Sequence, residues 1–496
     1  MSASLRPLWL RGVAFNPAAP SDVLIRLMDP AAGETGPAMC QGRDLPAAAL
    51  DAALRHPDRT IRGALARNHH VDPQALVPLA KDPSGLVRAW LADGPRPRAP
   101  RRVRPLPDEI LVALLTSEDG GEDGRVTANE IVGGLDGSGQ VPLSFRHSLA
   151  DREHPGLRRQ ATWGWGSLPP EQRAKLLDDP DPTVRRSARE HSWVLDPEEV
   201  EARLPGYEAR GWGFVFGECA LTPALVERCF GEDLLLFALA GNRHAPHDAV
   251  ARLARHPEAR FRALVATRPD LGPELVAELR EDPHEEIRTR ARVQSFSRTW
   301  AEHDVIGRIV GHGRDCTCPI TEFAPEPPAE WFAACAASEE PVLRRVAASW
   351  PGLPAALAAP LARDEDEEVR IRLACHHPLA PPRLLLDVFV AHPVHRPHLL
   401  TLPAFPRTGT AHLVGHPDPQ VRAVAAGDPA LSDPPVADSD PSVRRAAAAN
   451  PGLSPEVLEV LLADPGTAEG AAANPSLPVA RMHALLDDCL GGTAPA

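Results

Sequence analysis

Residues Asp440–Asp464 read DPSVRRAAAANPGLSPEVLEVLLAD, one complete structural unit of the chain. Asp440-Pro441 opens a short helix: the acid accepts first-turn N–H groups that lack partners, and proline fills a position that needs none. Val443, Ala446 and Ala447 fall at i, i+3 and i+4 and give one narrow apolar face. Asn450-Pro451 stops the helix, because the residue before a proline is pushed out of the helical region. Ser454-Pro455-Glu456 then opens a second helix with the same grammar. Val457, Val460, Leu461 and Leu462 supply its apolar stripe, and Asp464-Pro465 ends it. Two-turn helices are unstable alone in water, so each must be stabilised by a neighbour, and that is the physical reason for repetition.

The unit does recur. Ten arginines follow an acid or histidine, a proline or acid, and an apolar residue in nearly one frame: Arg62, Arg88, Arg158, Arg185, Arg262, Arg288, Arg344, Arg370, Arg422 and Arg444. Seven frames run from an Asp or His six residues before the arginine, as in His56…Ile61-Arg62 and Asp282…Ile287-Arg288; those at Arg158, Arg344 and Arg444 are two residues shorter. The steps between these arginines are 26, 70, 27, 77, 26, 56, 26, 52 and 22 residues, which divide into a period of about 25. The second-helix opening recurs at Asp72-Pro73, Asp196-Pro197, Thr222-Pro223 and Gly272-Pro273. Nothing alternates at period two. The expected fold is all-α: a solenoid of two-helix repeats of about 25 residues, piled into one elongated spiral.

The pattern resembles the leucine-rich repeat variant family. Asn16-Pro17, Asn450-Pro451 and Asn474-Pro475 match its Asn-Pro signature, and the ten arginine frames match its Asp-Pro…Val-Arg signature. The resemblance covers most of residues 11–92, 151–204, 231–290 and 339–490. It implies a right-handed superhelix in which each repeat holds one α- and one 3₁₀-helix. One type of member carries an N-terminal iron–sulfur cluster on closely spaced cysteines. Here the N-terminal half offers only Cys40 and the distant Cys219 and Cys229, so no cofactor is carried over. HEAT-like repeats share the Asp…Val-Arg element but need about 40 or more residues per unit, so they come second.

The expected organisation is helical repeats over 1–92, then an Arg/Pro-rich and Gly/acid-rich insertion over 93–150. Repeats resume over 151–290, with a Gly/Trp insert at 205–230. An insertion containing Cys-x-Cys spans 291–338, repeats fill 339–490, and 491–496 is a tail. Insertions in repeat arrays fall on one face, often the binding face.

Arginine makes up all of the 53 basic residues except Lys81 and Lys175. With 56 prolines, this reads as the codon bias of a GC-rich bacterial genome rather than as a signal of function. The formal charge of −14 argues against a general nucleic-acid or anionic-membrane binder, both of which need a positive field. No apolar run is long enough to span a bilayer, and Met1–Leu10 lacks a signal-peptide core. The eight cysteines are scattered rather than arranged as a disulfide framework, so a reducing cytoplasmic location is expected.

Several residue groups suggest chemistry, and each also has an ordinary structural role. The arginine frame could form a basic ladder in a concave groove; because acid and arginine recur together, it reads instead as a staple between repeats. Arg96, Arg98, Arg101, Arg102 and Arg104 lie among prolines without an aromatic residue and read as a solvated linker. Asp119, Asp123 and Glu130 match positions 1, 5 and 12 of a calcium loop, but Gly121 at position 3 supplies no side-chain oxygen. His312, Cys316 and Cys318, with Cys335 or His303 nearby, could ligate a soft metal, yet Cys-x-Cys is tighter than the usual ligand spacing. Trp163, Trp165, Trp193 and Trp212 could form a recognition surface but read as core where repeats degenerate. His56, His154, His256 and His416 take turn positions held elsewhere by acids. No H-E-x-x-H, G-x-S-x-G or G-K-[ST] is present.

The expected function is therefore a non-enzymatic scaffold, a monomer that presents an extended surface to a protein partner, with no membrane and no cofactor. One alternative is a nucleic-acid-binding helical-repeat protein of the DNA-glycosylase type, with arginines lining a concave groove. A third is a metal or redox protein built on Cys316 and Cys318.

Overall fold

The computed structural model describes residues 5–95, 104–117, 126–204, 212–311 and 327–491, and every regular element among them is helical. The unit at Asp440–Asp464 forms helices Pro441–Ala448 and Pro455–Leu462. The Asp440 carboxylate accepts from the Ser442 N–H at 2.8 Å, and Val443, Ala447 and Ala448 are buried. The second helix turns a slightly different face inward from the one expected. Leu458, Leu461 and Leu462 are buried, whereas Val460 is 71% exposed. Leu458, three and four residues before the other two, completes the inward face.

The expected alternation of α- and 3₁₀-helix is not the rule. Pro73–Lys81 is a 3₁₀-helix with Pro78 inside it, but His247–Ala254, Pro273–Arg280 and Pro455–Leu462 are α-helices. Eight residues free of internal proline suffice for two α-turns, and the α-form has the better hydrogen-bond geometry.

The chain divides into two compact units, Met1–Val141 with Pro381–Ala496, and Pro142–Ala380. Within each, first helices of consecutive repeats stack on one another, as Arg59–Ala66 does on Gly85–Asp93, and Ala259–Val265 on Glu285–Val293.

The three segments expected to interrupt the rhythm contain stacked helices of their own. Asp108–Leu115 buries Ile110, Leu111 and Leu114, and Ala128–Ser138 packs on Gly85–Asp93. Trp212–Glu218 packs on Asp233–Gly241, and both Trp300–Gly311 and Ala329–Ala336 pack on Pro341–Ala348. Such repeats escape the arginine frame because the residue four after the cap is apolar, as with Ile131 and Leu236, both buried.

Within the first unit the first and last helical repeats pack together. Helix Arg6–Phe15 stacks on Ala468–Ala472 in the way Ala468–Ala472 stacks on Pro441–Ala448. The Trp9 indole N–H donates to the Leu462 carbonyl at 2.9 Å. The approach is close enough to require glycine: a Cβ on Gly12 would lie 2.4 Å from the Glu469 oxygen and 2.5 Å from the Ala472 Cβ. Gly470 makes the same accommodation one repeat earlier, where a Cβ would lie 2.1 Å from the Arg445 oxygen. Further out, Arg26 pairs with Asp487 at 2.5 Å, and His483 meets Asp22 at 3.0 Å. The first repeat thus packs on the last as a consecutive repeat would.

Candidate functional site

The ten frame arginines form five clamps, each made by two consecutive repeats around one aspartate. The leading arginine lays its guanidinium on the carboxylate of the next repeat through two bonds. The Nε–Oδ2 distances are 2.7 Å for Arg62–Asp82, 2.7 Å for Arg158–Asp179, 2.6 Å for Arg262–Asp282, 2.7 Å for Arg344–Asp364 and 3.0 Å for Arg422–Asp438. The following arginine donates from Nη1 to the main-chain oxygen of that same aspartate: Arg88 at 2.6 Å, Arg185 at 2.5 Å, Arg288 at 2.7 Å, Arg444 at 2.7 Å, and Arg370 to Asp364. Each aspartate also accepts from the N–H two residues on, with Ser84, Asp181, His284 and Asp366 at 2.9 Å and Asp440 at 2.8 Å.

The short and long frames are one frame. In both, the arginine Nη1 bonds the carbonyl six residues back, as from Arg158 to Arg152 at 2.9 Å and from Arg62 to His56 at 2.7 Å. Two cap positions follow each other, and either one can carry the acid or histidine. The histidines act as caps: Nδ1 of His56, His154, His256 and His416 accepts from the N–H two residues on, at 3.1 to 3.2 Å.

An eleventh frame member was hidden. Arg396 is nearly buried, bonds the Phe389 and Val390 carbonyls and pairs with Asp418 at 2.6 Å. It splits the 52-residue step between Arg370 and Arg422 into two of 26, and His395 in place of an aliphatic residue disguised it.

The bidentate pairs are shielded, with the leading arginine and the aspartate side chains at most 17% exposed. The arginine hydrogen bonds hold Asp179, Asp282 and Asp438 below the usual carboxylate range. Bidentate contact of this kind is the strong form of a charge-assisted hydrogen bond.

A second ladder runs at the helix C-termini, made by buried or half-buried side chains that donate to carbonyls of the preceding repeat, two each except for Gln294, which reaches one. In the first unit, Asn450 reaches Ala426 and Asp428, both at 2.8 Å, and Asn474 reaches Ala448 and Asn450 at 2.9 and 2.7 Å. Asn16 then reaches Ala472 and Asn474 at 3.0 and 2.7 Å, so the ladder crosses from the last repeat to the first. Arg43 continues it to Ala14 and Asn16, and Asn68 to Cys40 and Arg43, all at 2.7 Å. In the second unit the rungs are Asn242, Arg268 and Gln294. The Asn-Pro pairs mark part of this ladder in sequence. The rungs supplied by arginine and glutamine share only the ability to donate N–H groups.

Only part of the remaining sequence candidates falls among the described residues. His312, Cys316, Cys318, Asp119, Asp123, Arg96, Arg98, Arg101 and Arg102 lie outside the described residues. Glu130 closes a capping box, its carboxylate accepting from the Thr127 N–H at 2.8 Å, which gives the carboxylate a local helix-capping role. His303 Nδ1 lies 2.9 Å from the Thr267 carbonyl, and Cys335 is buried. Burial pushes the thiols of Cys40, Cys219, Cys229 and Cys375 up to about 12, so they pack as small apolar groups. Among the described residues no three His, Cys, Asp or Glu side chains gather as a metal site would require. Of the tryptophans, Trp165 and Trp193 are core, but Trp163 is 65% exposed and stacks on His191. Phe214, Leu234 and Phe237, also in the second unit, are exposed as well. No described helix is long and apolar enough to cross a membrane.

No curated protein matches the chain. The model of the leucine rich repeat variant family matches residues 441–466, the stretch that holds Arg444, which bonds the Asp438 carbonyl, and the Asn450 rung. The chain is a helical-repeat protein in which residues 441–466 are similar to a leucine rich repeat variant unit.

Proposed function

We propose that the chain is a non-enzymatic scaffold, cytoplasmic and monomeric, that binds another protein through the exposed faces of its repeats. The observation that carries this reading is the use of the frame arginines. All ten bond carbonyls or carboxylates of the array itself, so the feature that would otherwise line a phosphate-binding groove holds repeats together instead. A DNA-glycosylase-like role loses its main support by the same observation, since phosphate contacts need available cations. The surface left over is varied from repeat to repeat and includes Trp163, Phe214, Leu234 and Phe237, residue types that anchor protein interfaces when exposed.

The test is affinity capture from the native host with the full chain, with a Trp163→Ala/Leu234→Ser/Phe237→Ser variant, and with residues 312–326 replaced by a short Gly-Ser linker. A partner retained by the full chain and lost with either change supports the scaffold reading. Capture of no protein, together with tight binding of duplex DNA at physiological salt, would overturn it.

A further inference from the structure

The hollows between neighbouring first helices differ in how their charges are satisfied. In the second unit, a hollow of about 400 Å³ is lined by Glu285, Glu286, Arg290, Arg345 and Glu368, among others. Its cations are matched from within: Arg290 pairs with Glu286 at 2.7 Å, and Arg345 pairs with Asp366 at 2.6 Å and Glu368 at 3.0 Å. In the first unit a larger groove, about 540 Å³, is lined by Leu400, Arg407, Ala423, Val424 and Gly427, with Arg396 and Gln420 at its polar end. Arg396 is matched by Asp418. Arg407 is not: its Nη2 donates to the Leu400 carbonyl at 2.6 Å and its guanidinium lies 5.5 Å from the Phe405 ring centroid, with no carboxylate in reach among the described residues. Gln420 turns its carbonyl oxygen to Arg396 at 3.1 Å, which keeps its amide N–H groups among the groove's donors. The floor is small and apolar because Ala423, Val424 and Gly427 occupy positions where larger side chains would fill the space.

We propose that this groove binds an acidic peptide segment of a partner protein, with a Glu or Asp side chain docked on Arg407 and a neighbouring aliphatic side chain on the Leu400, Ala423, Val424 and Gly427 floor. The inference rests on the scaffold reading and names one place where the partner is held. In a chain carrying a net charge of −14, one open guanidinium beside an apolar floor selects a carboxylate locally while the surroundings discourage polyanions. An Arg–carboxylate contact at such a rim supplies direction, and the apolar floor supplies burial.

The probes are two fluorescein-labelled, acetylated pentapeptides, Ala-Leu-Glu-Leu-Ala and its Gln counterpart, titrated against the full-length chain. The glutamate peptide is expected to bind about tenfold more tightly than the glutamine peptide. Arg407→Glu is expected to abolish the difference, and Arg407→Lys to keep part of it. Arg407 is exposed and makes one hydrogen bond, so the thermal midpoint of each variant should match the parent's. Equal binding of the two peptides, binding of neither, or unchanged discrimination in Arg407→Glu overturns the site. Capture of one native partner by both the parent and Arg407→Glu would also overturn it while leaving the scaffold reading intact. Peptide discrimination with no captured partner would uphold the site and count against the scaffold.

Discussion

At the scale of the residue, the aspartate of each clamp is the connecting atom set of two repeats: its carboxylate receives one arginine, its carbonyl the next. Asp282→Ala would strand Arg262, a guanidinium about 10% exposed, and the loss of one partner from such a pair costs about 3–5 kcal/mol. Chemical denaturation of the variant against the parent measures this, and a change below about 1 kcal/mol would contradict the clamp. The same pairs set a pH dependence. Asp179, Asp282 and Asp438 have folded-state values below their unfolded ones, so they favour the folded chain fully above about pH 4 and lose that contribution as pH falls through the folded values. The thermal midpoint should therefore drop steeply below about pH 4, and Asp282→Asn should flatten that drop.

At the scale of the element, short helices are tied end to end by the second ladder. Asn450→Ala leaves the Ala426 and Asp428 carbonyls without their buried donor and is expected to destabilise by about 1–3 kcal/mol, read by the denaturation midpoint. Much of this level was legible in the sequence. Cap, proline and apolar spacing placed Pro441–Ala448 and Pro455–Leu462, and the arginine period placed the stacking. Less legible was anything in which unlike residues do one job. Arg268 and Gln294 occupy rungs that asparagine fills elsewhere, and Ile131 and Leu236 replace frame arginines by simple burial. A pattern search sees residue identity, whereas the fold asks only for a donor at one place and a filled volume at the other. The open cation at Arg407 was equally hidden, because its distinction is the acid it lacks among the residues around it.

At the scale of the molecule, the first repeat packs on the last within one unit. A repeating sequence carries no mark for this, since every repeat presents the same faces and any two could stack. Gly12 is the one local sign, and it acquires meaning only beside Glu469 and Ala472. Gly12→Ala should force helix Arg6–Phe15 away from Ala468–Ala472 and destabilise the first unit by about 1–3 kcal/mol, the usual cost of overpacking. Differential hydrogen exchange should register it as faster exchange in both segments; an effect confined to Arg6–Phe15 would contradict the contact.

The claim on which the account rests is that, within the first unit, the carbonyl ladder runs from the last repeat to the first and stacks them as neighbours. The most direct measurement is the distance between spin labels placed through non-natural amino acids at positions 22 and 487, read by pulsed electron resonance. The account predicts a narrow distribution within about 30 Å. An open array of about 20 repeats spaced about 9 Å apart would instead hold the ends several times farther apart, and that result would contradict it.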